Sequence, residues 1–209
     1  IEEKGIYSVE KFLTARRLMY WQVYLHKTSL VAEQLLTRLL QRAKELTLRG
    51  EKLEASKALN FFLNNTVVKS EFNDEVLNTF AQLDDVDIMS AMKSWQHNED
   101  FVLSNLSQMI MERKLLKIKF KNKKVNLTSF EKHIKNLKNK YNITNEEASY
   151  FVFGGEVTNQ AYQSKDQQIN ILLKTGKVKD INKASNHLNL KVLSKPITKY
   201  YICYPKEKL

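Results

Sequence analysis

The chain of 209 residues is 43% hydrophobic with only five glycines and two prolines, a balance that supports a globular core and favours long helices over an all-β chain rich in tight turns. No apolar run approaches the roughly 20 residues of a membrane helix, and the N-terminus lacks the basic-then-apolar order of a signal peptide. Thirty-four lysines and arginines against 23 acids give +11, an excess that reads first as a lysine-rich solvated surface and otherwise as a means to attract nucleic acid or nucleotides, while the single cysteine, Cys203, excludes an internal disulfide framework and points to a reducing, cytoplasmic compartment.

Ser8 is placed to cap a helix by accepting from the free N–H groups of its first turn, with Glu10 near the positive end of the dipole. Val9, Phe12, Val23, Leu30, Leu35, Leu39 and Ala43 then sustain the helical apolar period to about residue 48, where Gly50 supplies a stop. The spacing predicts one unbroken helix of about forty residues. A second helix is expected over residues 51–64, with Ala55, Leu59, Phe62 and Leu63 on one face. Asn73 caps a third that carries Val76, Leu77 and Phe80. Asp84 or Asp85 starts a fourth, with Ile88, Met89, Met92 and Trp95 in one stripe, and Phe101, Leu106, Met109 and Ile110 mark a fifth.

The period changes after Lys114. Residues 116–121 alternate strictly between apolar and lysine, as a strand with one wet face does. Thr128 is expected to cap a helix with Phe130, Ile134, Leu137 and Tyr141 along one side, and strand-like runs recur at residues 150–157, 168–174 and 199–204, with a short helix near 181–188. The order βαββαβ resembles a ferredoxin-like sandwich. The predicted fold class is therefore mainly α over residues 8–112, followed by a small α+β, ferredoxin-like unit, with domains at 1–112 and 113–209.

Arg16, Tyr20 and Tyr24 stand at four-residue spacing and would form a ridge along one helix face. A guanidinium donates forked, charge-assisted hydrogen bonds to phosphate, and a tyrosine ring packs on a sugar or base, so the ridge suits a nucleotide. The same spacing fits two core aromatics beside a surface cation. The four histidines, His26, His97, His133 and His187, are scattered and none precedes an Asp, so no metal site is expected within the chain. Asp84, Asp85 and Asp87 sit at a helix start, where capping is favoured over ligation. Gly154-Gly155 lacks the Lys-Ser/Thr of a phosphate loop and reads as a bulge or turn. Trp21 and Trp95 read as core or interface residues, and Met19, Trp21, Phe61 and Phe62 suggest self-association. Lysines 117, 119 and 121 fit either polyanion binding or, the favoured reading, protection of an edge strand.

The string Arg16-Arg17-Leu18-Met19-Tyr20-Trp21-Gln22-Val23-Tyr24-Leu25-His26-Lys27 resembles the helix that follows the metal centre in HD-family deoxynucleoside triphosphate triphosphohydrolases. The resemblance covers residues 5–48 most closely and the helices to about residue 113. It implies an arginine at Arg16 on the triphosphate, a tyrosine at Tyr24 on the deoxyribose, and Tyr20 where mammalian members have a histidine near the substrate. His26 and Lys27 match positions beside a regulatory nucleotide site, although Gln22 replaces an arginine there. Leu25 replaces a base-contacting glutamine, so base preference does not carry over. The family holds its metal with a His, a His-Asp pair and a later Asp, none of which is present here. By resemblance, the chain is the C-terminal part of such an enzyme. It would supply substrate-binding and oligomerisation surfaces to an N-terminal HD core that holds a divalent metal, with nucleotide and further copies of itself as partners. The alternative is a non-enzymatic nucleic-acid- or protein-binding module that uses the basic segment at residues 113–140.

Overall fold

The computed structural model describes residues 1–159, 168–185 and 196–206. Helices come first: α1 (Ile6–Met19), a π-helical turn (Tyr20–Tyr24), α2 (Lys27–Leu48), α3 (Lys57–Asn64), α4 (Asp74–Ala81), α5 (Asp85–Trp95) and α6 (Phe101–Met111). Then follow β1 (Lys117–Lys121), α7 (Leu127–Tyr141), α8 (Asn145–Ser149), β2 (Phe153–Asn159), β3 (Asn170–Leu172), β4 (Val178–Asp180), α9 (Ile181–Ala184) and β5 (Ile197–Tyr204). The mainly helical class with a small α+β part is as expected from the sequence.

Four expectations about local structure change. The forty-residue helix is interrupted, because Leu25 leaves helical geometry (φ −100°, ψ 17°) after its N–H bonds the Tyr20 carbonyl five residues back at 2.7 Å. Tyr-Trp-Gln-Val-Tyr is rich in aromatic and β-branched side chains that lose rotamer freedom in an α-helix, which weakens the α register there. His26 then restarts the chain, its Nδ1 accepting from the Thr28 N–H at 3.3 Å and its carbonyl from the Leu30 N–H at 2.9 Å. The first helix begins at Ile6, so Ser8 lies in its first turn and caps nothing. The second begins only at Lys57, with Ser56 accepting from the Leu59 N–H, and the helix placed at Thr128 starts at Leu127.

Other caps fall where the sequence puts them. Asn73 accepts from the Val76 N–H, while Asp84 accepts from Val86 and Asp87 and receives the Asp87 side chain on its own N–H. Two of the three acids of that segment, Asp84 and Asp87, are therefore committed to the helix start. Gly50 ends α2 at φ +94°, with its N–H on the Thr47 carbonyl and that of Glu51 on Leu46, the bonding of a Schellman stop.

By compactness the chain falls into two units. One unit comprises residues 1–30, 119–126 and 154–202, and the other residues 31–118, 127–153 and 203–209. In the first, α1 buries Val9 and Leu13 with Ile171 of β3 and Ile181 of α9, and β3 pairs antiparallel with β4 so that Ile171 faces Lys179. Val9 and Leu13 form this contact, whereas Phe12 and Val23 of the expected stripe are exposed. In the second, Leu35, Leu39, Ala43 and Leu46 follow the helical period along α2 and are buried with Trp95, Leu103, Leu106 and Phe151. Each such large side chain contributes about 1.5–3 kcal/mol by leaving water.

The strands form a three-stranded sheet of order β1-β5-β2 and a separate β3-β4 pair, in place of the single ferredoxin-like sheet expected. The reason is local: the short run at β3 finds its partner in β4, a strand that the polar Val178-Lys179-Asp180 sequence does not announce. The run at residues 150–157 is strand only from Phe153, since the preceding residues close α8. Gly154 and Gly155 lie inside β2 and form no turn. A Cβ at Gly155 would meet the Tyr201 hydroxyl at 2.6 Å, so the bare Cα makes room for that ring. Part of the helix expected near 181–188 lies outside the described residues, which place α9 at Ile181–Ala184.

Candidate functional site

The ridge predicted from spacing exists, with its second half built on the π-turn. Arg16, near the end of α1, holds its guanidinium carbon 5.7 Å from the centre of the Tyr20 ring. Tyr20 and Tyr24 stand 5.1 Å apart, centroid to centroid, tilted by 54°. The three side chains therefore make one continuous strip of cation and π surface. Tyr24 is 55% exposed, Arg16 is exposed and Tyr20 half-buried. Among the described residues Arg16 has no acidic partner, so the outer edge of its fork is available to an anion. The reading of the two tyrosines as core aromatics does not hold for Tyr24.

His26 and Lys27 follow the ridge and are both exposed. His26 has a structural duty, since the Thr28 N–H occupies its Nδ1, leaving Nε2 outward. Single-turn π segments concentrate at functional sites because they displace side chains from α-helical register. Here the displacement sits between Arg16 and His26.

Behind the ridge, Trp21 is half-buried rather than core, and the Lys199 ammonium of β5 lies 4.2 Å over its ring and 5.7 Å from that of Phe120 in β1. Neither Lys199 nor Phe120 was picked out from the sequence. Lys199 is 178 positions from Trp21, and no local pattern links them.

A second arginine constellation lies in the other unit. Arg42, only 4% exposed, donates from Nε to Asp100 Oδ1 at 3.1 Å and from Nη2 to Oδ2 at 2.6 Å, and from Nη1 to Glu45 at 3.2 Å. Tyr150 donates to Glu45 at 2.5 Å, and its ring lies 5.7 Å from the Arg42 guanidinium. Burial alone would raise the Asp100 carboxyl, but bonds from Arg42 and the Leu103 N–H, with the Arg42 charge, hold it below the usual range. Tyr150 is pushed up, first by burial and then by its bond to Glu45. Arg38 packs 3.7 Å from the Phe153 ring, and burial pushes the Cys203 thiol up to about 12 against the opposing charge of Arg38. Each of the three Arg42 nitrogens already donates to a carboxylate, which marks this cluster as structural.

Among the described residues no group of three or more His, Cys, Asp or Glu side chains is placed to hold a metal ion. The residues at hand therefore do not fit the divalent metal that the resemblance implies, and no chemistry is assigned to one in this chain. No helix is long and apolar enough to cross a membrane.

The exposed arginine and the two tyrosines at the π-turn sit within residues 1–62, which match the HD associated region. The structure is similar to the crystal structure of a phosphohydrolase from Bacteroides thetaiotaomicron VPI-5482, at 45% identity and a TM-score of 0.89, over 99% of this chain and 52% of that one. The sequence is 26% identical over 216 residues to the uncharacterized protein YwfO of Bacillus subtilis (strain 168), over 99% of this chain and 47% of that protein. The chain thus spans about half the length of these relatives.

Proposed function

We propose that the chain is the C-terminal part of an HD-family phosphohydrolase that converts deoxynucleoside triphosphates to deoxynucleosides and triphosphate, and that it supplies substrate-binding and assembly surfaces in the cytoplasm. The observation that carries the reading is the uncommitted Arg16 guanidinium at the head of the Tyr20–Tyr24 strip. Arg16 binds the phosphates and offsets charge that builds on them, an electrostatic role that forked donors fill well. Tyr24 packs on the sugar, and Tyr20 supports both neighbours. The metal and its ligands belong to the half of the relatives' length that this chain does not match. His26, through Nε2, and Lys27 form the edge of an effector nucleotide contact. Exposed Phe12, Leu18, Met19 and Val23 meet the HD core or another copy of the chain in a homo-oligomer.

A second reading rests on the lysines of β1. Lys117, Lys119 and Lys121 are exposed along an outer strand of the sheet, and Lys123 and Lys124 follow. Protection of the strand edge accounts for them, and a nucleic-acid-binding module is the rival.

Release of triphosphate separates these readings. The full-length protein should release it from deoxynucleoside triphosphates with added magnesium, manganese or cobalt, and the 209-residue chain alone should not exceed a buffer control. Steeply salt-dependent DNA binding by the chain, without turnover by the full-length protein, would favour the rival.

A further inference from the structure

The π-turn that displays Tyr20 and Tyr24 also carries Trp21, and Trp21 is held from behind. The Lys199 ammonium stands 4.2 Å over the indole and 5.7 Å from the Phe120 ring, so one half-buried cation bridges two aromatic side chains from β1 and the turn. Lys199 forms no ion pair with an acid among the described residues. Its charge is therefore balanced mainly by ring faces, and indole is the strongest such partner. A π-turn is intrinsically poor backbone geometry and persists only where surrounding contacts hold it. Trp21 sits next to Tyr20 within the turn, so its packing helps fix the backbone on which the Tyr20–Tyr24 spacing of 5.1 Å depends.

Resting on the proposed substrate role of the ridge, we propose that Lys199 is a positioning residue for nucleotide binding, which acts through Trp21 to hold the π-turn so that Tyr24 meets the sugar while Arg16 meets the phosphates. The segment that contains β5 thereby sets substrate affinity without touching substrate. Three features make this more than surface packing: the cation is half-buried, it is shared by two rings, and one of those rings belongs to the turn itself.

The test uses the full-length protein and each of the four deoxynucleoside triphosphates, with variants Lys199→Met, Lys199→Arg and Arg16→Ala. Lys199→Met keeps the stem and removes the charge. It should raise KM about fivefold with kcat within about twofold, the size expected of one cation–ring contact. Lys199→Arg, which also stacks on indole, should return KM to within about twofold of the parent. Removing the cation should also shift Trp21 emission, with Trp21→Phe identifying the Trp21 share of the signal against buried Trp95. If Arg16→Ala is impaired while Lys199→Met has the parental KM, the positioning role is wrong and the substrate reading stands. If Arg16→Ala is itself indistinguishable from the parent, the substrate reading fails and takes this one with it. If Lys199→Met does not fold, Trp21→Phe weakens the same contact and should raise KM in smaller measure. An unchanged KM in that variant overturns the proposal.

Discussion

Two arginine–tyrosine pairs among the described residues stand at the same separation, 5.7 Å for Arg16 with Tyr20 and 5.7 Å for Arg42 with Tyr150. The two pairs nonetheless do different work. Around Arg42 one carboxylate takes the Nε–Nη2 edge of the fork, a second takes Nη1, and a tyrosine hydroxyl donates to the second. Around exposed Arg16 the Tyr20 ring is present, and no acid pairs with it among the described residues. An arginine stacked on a tyrosine is thus no evidence of a site by itself. What separates structure from function is whether the hydrogen-bonding capacity of the guanidinium has already been used.

The sharpest way to break the contrast is to strip Arg42 of its partner. Asp100→Ala should destabilise the chain by about 3–5 kcal/mol in denaturant titrations, because a buried cation is left unpaired. A loss below about 1 kcal/mol would show that the Arg42 cluster is as dispensable as an exposed pair. The same pair predicts a pH dependence. Asp100 is held below its ordinary value, so its contribution is complete above the unfolded-state value near 4 and is lost as pH falls through the lower folded value. Asp100→Asn should flatten that acid limb.

The mirror experiment is Arg16→Ala. It should leave stability within about 0.5 kcal/mol, as a surface change does, while lowering kcat of the full-length enzyme about a hundredfold or more. Parental kinetics in a folded variant would make Arg16 a surface cation. Tyr24→Ala should act on KM instead, by about tenfold, and Tyr24→Phe should retain activity if the ring is what matters. The smallest effect is expected from Tyr150→Phe, which removes one hydroxyl from a half-exposed carboxylate and should cost about 1 kcal/mol with no change in kcat or KM.

How far these regions could be read from sequence follows the same divide. The caps at Asn73 and Asp84 and the alternation at β1 are local signals, each decided within a few residues. The ridge was legible for that reason too, since its three members lie within nine positions, from Arg16 to Tyr24. The interruption at Leu25 was not, because helix and π-turn share one apolar period to within a residue. The ion cluster was missed although Arg42 sits at helical spacing from Leu35 and Leu39, on the buried stripe. A charge in that place signals a partner, but only the fold brings Asp100 to it across 58 positions. Lys199 lay beyond reach for the same reason.

The π-turn also bears on how this segment tolerates change in length. It closes its backbone ring five residues apart where an α-helix closes at four, so the turn from Tyr20 to Leu25 carries one residue more than an α-turn would. Removing exposed Gln22 would take away that extra residue and let the stretch close as an ordinary α-turn. Tyr20 and Tyr24 would then stand three positions apart, still neighbours on the helix but no longer held in the present 5.1 Å, 54° arrangement. A single-codon deletion here would therefore act as a lesion confined to one strip of the surface, in a chain whose folding hardly registers it.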